Sequence, residues 1–165
     1  MFQHLLHEAV VKTGIKAADP KEAFSLLLEG VSDWKQEAGT EKNLQKLLLA
    51  RETLGTTAMG YGVALPHTFS EDITEPQALL GISPEGIDFQ ALDGEPVHVM
   101  FVLLLPEESA ETRKVKGQIL REAHKFFSDS FWASELRKME SPLDVREFLA
   151  RAGNFAPALQ AAKVS

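Results

Sequence analysis

Apolar and polar positions along the chain alternate between helical spacing and short unbroken apolar runs. Residues Met1 to Lys12 are predicted to form a short helix or strand that covers a sheet edge. Asp19-Pro20-Lys21-Glu22 reads as a helix start. Asp is the N-cap, Pro takes the first helical position, and Glu follows three residues after the cap. Ala23, Leu26, Leu27 and Val31 then line one apolar face up to about Lys35. Thr40 opens a second helix that runs into Arg51 and stops at Gly55. Val63-Ala64-Leu65, Ala78-Leu79-Leu80-Gly81-Ile82 and Val97 to Leu105 are apolar runs of strand length. A nearly continuous apolar strand is expected where helices cover both faces of a sheet. Gly86 to Pro96 reads as a loop with an Asp93-Gly94 turn. Beyond it, Val115, Ile119, Ala123 and Phe126 share one face of a helix over Glu111 to Phe127. Ser128-Asp129 breaks that helix. Short helices are predicted over Phe131 to Met139 and over Val145 to Arg151, the latter opened by Ser141-Pro142-Leu143-Asp144. From Gly153 periodicity is lost, and the tail reads as loosely held or partly helical.

This pattern predicts a single α/β domain over residues 1–152 and a C-terminal tail over 153–165, with no internal repeat. At 165 residues the chain is long enough to bury a proper core. It has no cysteine, which excludes disulfides, zinc–thiolate sites and cysteine nucleophiles. A formal charge of −7 argues against general nucleic-acid binding, which demands a basic face. It suits docking onto a basic partner surface. No apolar stretch approaches the roughly 20 residues that span a bilayer, and the N-terminus lacks a signal peptide's basic and apolar regions. A cytoplasmic protein without membrane insertion is the expectation.

The chemistry concentrates between Arg51 and His67. Gly55, Gly60 and Gly62 allow close backbone approach, and Thr56 and Thr57 offer hydroxyls. Val63-Ala64-Leu65 then delivers His67 to a strand terminus beside that turn. A neutral imidazole is a good phosphoryl acceptor, and its reference pKa of about 6.5 leaves the free base abundant at neutral pH. One ring nitrogen attacks while the other is held by an acceptor that fixes the tautomer. The phosphoryl oxygens need donors and positive charge, for which Arg51 has a planar fork.

The segment Arg51-Glu52-Thr53-Leu54-Gly55-Thr56-Thr57-Ala58-Met59-Gly60-Tyr61-Gly62-Val63-Ala64-Leu65-Pro66-His67 resembles the fructose/mannitol-type enzyme IIA domains of the bacterial sugar phosphotransferase system, including their nitrogen-regulatory branch. Those carry Arg-Glu-x-Leu-Gly-Ser-Thr-Gly-Ile-Gly-x-Gly-(Val/Ile)-Ala-(Ile/Leu)-Pro-His. Ile87-Asp88-Phe89-Gln90-Ala91-Leu92-Asp93-Gly94 matches a second family stretch. The resemblance covers roughly Asp19 to Ala152. It implies a central mixed β-sheet flanked by helices on both sides; no cofactor is expected, and no ligand cluster is spaced for a metal-dependent hydrolase. It implies that His67 accepts a phosphoryl group from a histidine-containing phosphocarrier protein. Arg51 would lie near the reacting group, with Thr57 beside it. A downstream enzyme IIB or a regulatory protein is the implied partner. The rival expectation is a IIA-like interaction module that no longer transfers phosphate.

The chain departs from the family at several points. A second family histidine, in a His-Leu-x-x-Leu context, has no counterpart here. Counting back from Phe126-Phe127-Ser128-Asp129 puts Lys116 at that place; counting forward from Pro106 puts Arg113 there. Either cation would neutralise phosphoryl oxygens without titrating near neutral pH. Ala58 replaces a usual glycine, and Thr68-Phe69-Ser70-Glu71-Asp72 brings acidic residues where a basic one is common. Asp88 reads as an orienting group or a solvated loop carboxylate. His98 reads as a satisfied strand histidine, and His124 as a core-boundary residue. His4 and His7 make too weak a pair for a metal site.

Overall fold

The computed structural model describes residues 1–30 and 38–153. Its helices are α1 (Phe2–Glu8), α2 (Pro20–Leu28), α3 (Thr40–Leu54), α4 (Ala110–Phe127), α5 (Ser130–Leu136) and α6 (Pro142–Gly153). Its strands are β1 (Val10–Lys12), β2 (Ala58–Gly60), β3 (Val63–Ala64), β4 (His67–Phe69), β5 (Gln77–Ile87) and β6 (Val97–Leu105). The strands form one sheet in the order β1-β5-β6-β3-β2, with β4 also pairing β6. The sheet is mixed: β1/β5, β3/β6 and β4/β6 are parallel, whereas β5/β6 and β2/β3 are antiparallel.

β6 is the organising strand, and all nine of its residues are buried. Because side chains alternate across a strand, Val99, Phe101, Leu103 and Leu105 join one core cluster while Met100, Val102 and Leu104 join a second. The first cluster brings in Phe2, Ile119, Phe127, Trp132 and Leu149, from α1, α4, α5 and α6. The second brings in Phe24 and Leu27 from α2 and Leu44 and Leu48 from α3. Helices therefore cover both faces, as the unbroken apolar run requires. Phe2, Phe101, Phe126 and Phe127 meet largely edge-on, with ring centroids 4.9–6.4 Å apart, the arrangement that aromatic quadrupoles favour.

Local signals explain the helix starts. Asp19 accepts from the Glu22 amide at 2.9 Å, and Glu22 accepts from the Ala18 amide at 2.8 Å. Ser109 and Thr112 form a reciprocal capping box at α4. Asp129 caps α5 through the Phe131 amide at 2.9 Å.

Several boundaries differ from expectation. The N-terminal segment is both helix and strand: α1 packs on the core and β1 forms the sheet edge. β5 runs on past Ile82 to Ile87. A register shift leaves Ile82 opposite Val99 and Ile87 opposite Val97, so Pro84 and Gly86 sit in a bulge rather than ending the strand. Gly86 has φ +88°, and its amide bonds the Ser83 hydroxyl at 3.2 Å. α5 ends at Leu136 and α6 begins at Pro142. Val31 to Lys35 and the tail beyond Gly153 lie outside the described residues.

β5 approaches α2 closely. A Cβ on Gly81 would fall 2.5 Å from Leu27 Cδ2 and 3.0 Å from Ile15 Cδ1. Both side chains are buried in the core, so neither has room to yield. Gly81→Ala is expected to destabilise the fold by about 1–3 kcal/mol through overpacking. Urea denaturation measures this; an unchanged midpoint would mean that the α2–β5 contact relaxes freely.

Candidate functional site

β3 ends because Pro66 has no amide to donate. Its carbonyl still accepts from the Leu103 amide at 2.8 Å, so the chain stays on β6. His67 then opens β4, paired in register with Leu103. Its Nδ1 lies 2.9 Å from the Leu65 carbonyl. A carbonyl only accepts, so Nδ1 carries the proton and the Nε2 lone pair is left available. Burial pushes the His67 pKa below its ordinary value. The positive charges of Arg51 and Lys116 push it the same way, and the Leu65 carbonyl opposes them. The ring is thereby kept neutral.

Arg51 comes from the last turn of α3, and its Nη1 donates to the Gly55 carbonyl at 3.0 Å. The Thr56 hydroxyl lies 2.6 Å from the Phe89 carbonyl and 3.3 Å from Glu52 Oε1. The Thr57 hydroxyl donates to Glu52 Oε2 at 2.6 Å, and its amide donates to Oε1 at 2.9 Å. Each hydroxyl has a single proton, so in this arrangement both are engaged within the turn. The Thr57 carbonyl accepts from the Leu65 amide at 3.0 Å, which couples the turn to the strand that carries His67.

Between the two cations suggested for the place of the missing histidine, the structure separates their surroundings. Lys116 charge reaches His67, and its Nζ lies over the Phe69 ring, 5.3 Å from the centroid. Arg113 is more than half exposed and pairs with Glu108 at 3.4 Å. Ala58 is absent from the positive-φ positions, which here include Gly60, Tyr61 and Gly62, so its backbone needs no glycine.

The remaining candidates lie elsewhere. Asp88 accepts from the Gln90 amide at 2.8 Å and holds the turn in which Gln90 takes φ 53°. His98 is buried near the start of β6, with Nδ1 bonded to the Ser83 carbonyl at 2.9 Å. His124 is exposed rather than at the core boundary, because it lies in the last turn of α4 beside Ser128. His4 and His7 are exposed on α1, and no metal-binding cluster occurs among the described residues. No described helix is long and apolar enough to cross a membrane.

Sequence reasoning missed Glu52 and Phe69. A signal for Glu52 was present: an acidic residue in the last turn of a helix opposes the macrodipole and needs another partner. Phe69 had no such mark, since its value lies in what Lys116 places over it.

Comparison with known proteins identifies the family and the fold. Residues 4–152 match the family described as phosphoenolpyruvate-dependent sugar phosphotransferase system, EIIA 2. The chain belongs to that family. It is 42% identical over 118 residues to a nitrogen regulatory protein of Bradyrhizobium diazoefficiens, covering 71% of this chain and 76% of the relative. The crystal structure of nitrogen regulatory protein IIA-Ntr from Neisseria meningitidis superposes with a TM-score of 0.71. It is 26% identical and covers 89% of this chain and 97% of its own. The mannitol enzyme IIA of Escherichia coli, solved in complex with phosphorylated mannitol enzyme IIB, shares the fold at a TM-score of 0.66. There the identity is 20%, with 85% and 93% of the two chains covered.

Because the His67 pKa is lowered, the native state binds fewer protons than the unfolded chain between the two pKa values. Stability is therefore retained above the unfolded value of about 6.5 and lost as pH falls through the folded one. His67→Gln is expected to flatten that part of the stability–pH curve. NMR titration should find His67 protonating below the usual value, and Arg51→Gln or Lys116→Gln should raise its midpoint. A separate expectation concerns Glu52. Glu52→Ala strips the acceptor from the Thr57 amide and the Thr57 hydroxyl, and should cost about 1–3 kcal/mol. Faster hydrogen exchange at the Thr57 amide would accompany the loss, and an unchanged exchange rate would rule out the anchoring role.

Proposed function

We propose that the chain is a regulatory-type histidine phosphocarrier that accepts a phosphoryl group on His67 Nε2 from a histidine-containing phosphocarrier protein. The observation that carries this reading is the disposition of His67. Its Nδ1 is tied to the Leu65 carbonyl, Nε2 is left available, and the charges of Arg51 and Lys116 act on the ring. Transfer forms an Nε2–P bond as the donor's P–N bond breaks, and the electron pair returns to the donor's ring nitrogen. Little covalent work is asked of the protein; catalysis is positioning plus charge. Arg51 and Lys116 bind the phosphoryl oxygens. Arg113 is free to contribute only by leaving Glu108. Thr56 and Thr57 contribute through the shape of the turn; the Thr57 hydroxyl joins only once Glu52 gives way, and the Thr56 hydroxyl only by leaving the Phe89 carbonyl.

The likeness to nitrogen regulatory proteins supports a regulatory role, and the complex of a mannitol enzyme IIA with its IIB supports a protein as downstream partner. A second reading, a binding module that no longer transfers phosphate, is favoured by the lack of the second histidine that the resemblance expects, with Lys116 or Arg113 in its place. Intact-mass analysis decides between them. After incubation with phosphoenolpyruvate, enzyme I and the phosphocarrier protein, an acid-labile gain of one phosphoryl group is expected, absent in His67→Ala. No gain on a folded sample with cognate components would favour the module.

A further inference from the structure

We propose that Lys116, seated on the Phe69 ring, holds the phosphoryl group on His67, so that the phosphorylated chain is a persistent signal rather than a fast relay. This rests on His67 being the acceptor. The geometry starts on β4, where His67 and Phe69 are two residues apart and so point to the same face. Phe69 is half-buried and packs against the first core cluster, which fixes its ring. The Lys116 ammonium lies over that ring at 5.3 Å, within the range of a cation–π contact. α4 is anchored by its capping box and by Ile119, Ala123, Phe126 and Phe127, so the lysine stem starts from a fixed place. Phe69 is thus a positioning residue, and Lys116 is the group that would touch phosphate.

The charged and titratable groups near His67 and Phe69 come from several elements. Arg51 is contributed by α3 and His67 by β4. Glu71, Glu107 and Glu108 line a cavity of about 350 Å³ on which Phe69 also borders. Lys116 appears in none of the salt bridges found among the described residues.

Two effects of the Lys116 ammonium act in the same direction. When Nε2 takes the phosphoryl group and Nδ1 keeps its proton, the ring becomes a cation beside a phosphoryl dianion. Lys116 attracts the dianion and stabilises the phosphorylated state. It also repels the ring cation, favouring loss of the Nδ1 proton to solvent and leaving a neutral phosphoimidazole. Loss to water forms an O–P bond, breaks Nε2–P and returns the electron pair to Nε2. That departure is easiest from the protonated ring, which Lys116 disfavours.

The test charges the folded chain with phosphoramidate, a small-molecule phosphoryl donor, so that no partner protein is needed. Peptide mapping separates His67 from the exposed His4, His7 and His124. Decay of the His67 phosphoryl group is then followed without acceptor from about pH 5 to pH 8. Lys116→Gln should decay about fivefold faster than wild type, the size of one partly exposed ion pair. Phe69→Leu, which keeps the charge but removes its seat, should also decay faster. Lys116→His should match wild type at low pH and decay faster above an inflection near pH 6.5 (roughly the free imidazole value), which a merely structural role would not produce. If Lys116→Gln and Phe69→Leu decay at the wild-type rate, the proposal is overturned while His67 remains the acceptor. If wild type takes no phosphoryl group on His67, the acceptor reading fails and this proposal with it.

Discussion

Burial of β6 on both faces is the constraint from which the rest of the structure follows. A strand with nine consecutive buried residues must be paired along both edges and covered above and below, because an unpaired buried backbone is costly. β5 satisfies one edge throughout. The other edge is satisfied in two pieces, β3 and then β4. The break between those pieces is Leu65-Pro66, and His67 is the first residue after it. The site therefore occupies a discontinuity in a strand that the buried β6 holds in register on either side. The His67 backbone is fixed by the core, while its side chain is only half-buried.

Glu52 transmits that rigidity to the turn. The carboxylate gathers one amide and two hydroxyls, and the same turn is tied to β5's outgoing loop through the Phe89 carbonyl. Arg51, one residue earlier, bonds Gly55 and so shares the turn's position. Neighbouring residues thus divide the work: Glu52 builds the turn with negative charge, and Arg51 brings positive charge to His67. This division explains how a motif rich in glycine, which is entropically expensive to order, has a defined shape.

Much of the architecture was legible because β6 and the α4 face have strong, unambiguous periods. The sheet's mixed topology was not contained in those periods; it came from the family resemblance. The length of β5 was misread because Pro84 and Gly86 punctuate a sequence equally well whether they end a strand or bulge it. The bulge depends on pairing with β6, which local pattern does not encode. At the site, His67 and Arg51 stood out through residue type and spacing. The choice between Lys116 and Arg113 was open because counting from either end of the loop gave a different answer. Their surroundings distinguish them, since Glu108 engages Arg113 and Phe69 engages Lys116. The committed hydroxyls of Thr56 and Thr57 were hidden for the same reason: an available donor and a satisfied one have the same letter.

Charge is arranged on two scales. The chain as a whole carries −7, which repels anions at long range. Arg51 and Lys116 invert that sign only locally, around His67. In physiological salt the field of an exposed charge fades over about 8 Å, so two half-buried cations act on a group at His67 without making the wider surface attractive to polyanions. Glu71, Glu107 and Glu108 border the neighbouring cavity and restore the negative sign a short distance away. A free anion meets repulsion before it meets the cations. On the proposed function, a phosphoryl group delivered by a partner with a basic rim would meet the reverse: attraction at the rim first, then the cations at the centre. This layout discriminates by the carrier as much as by the phosphate.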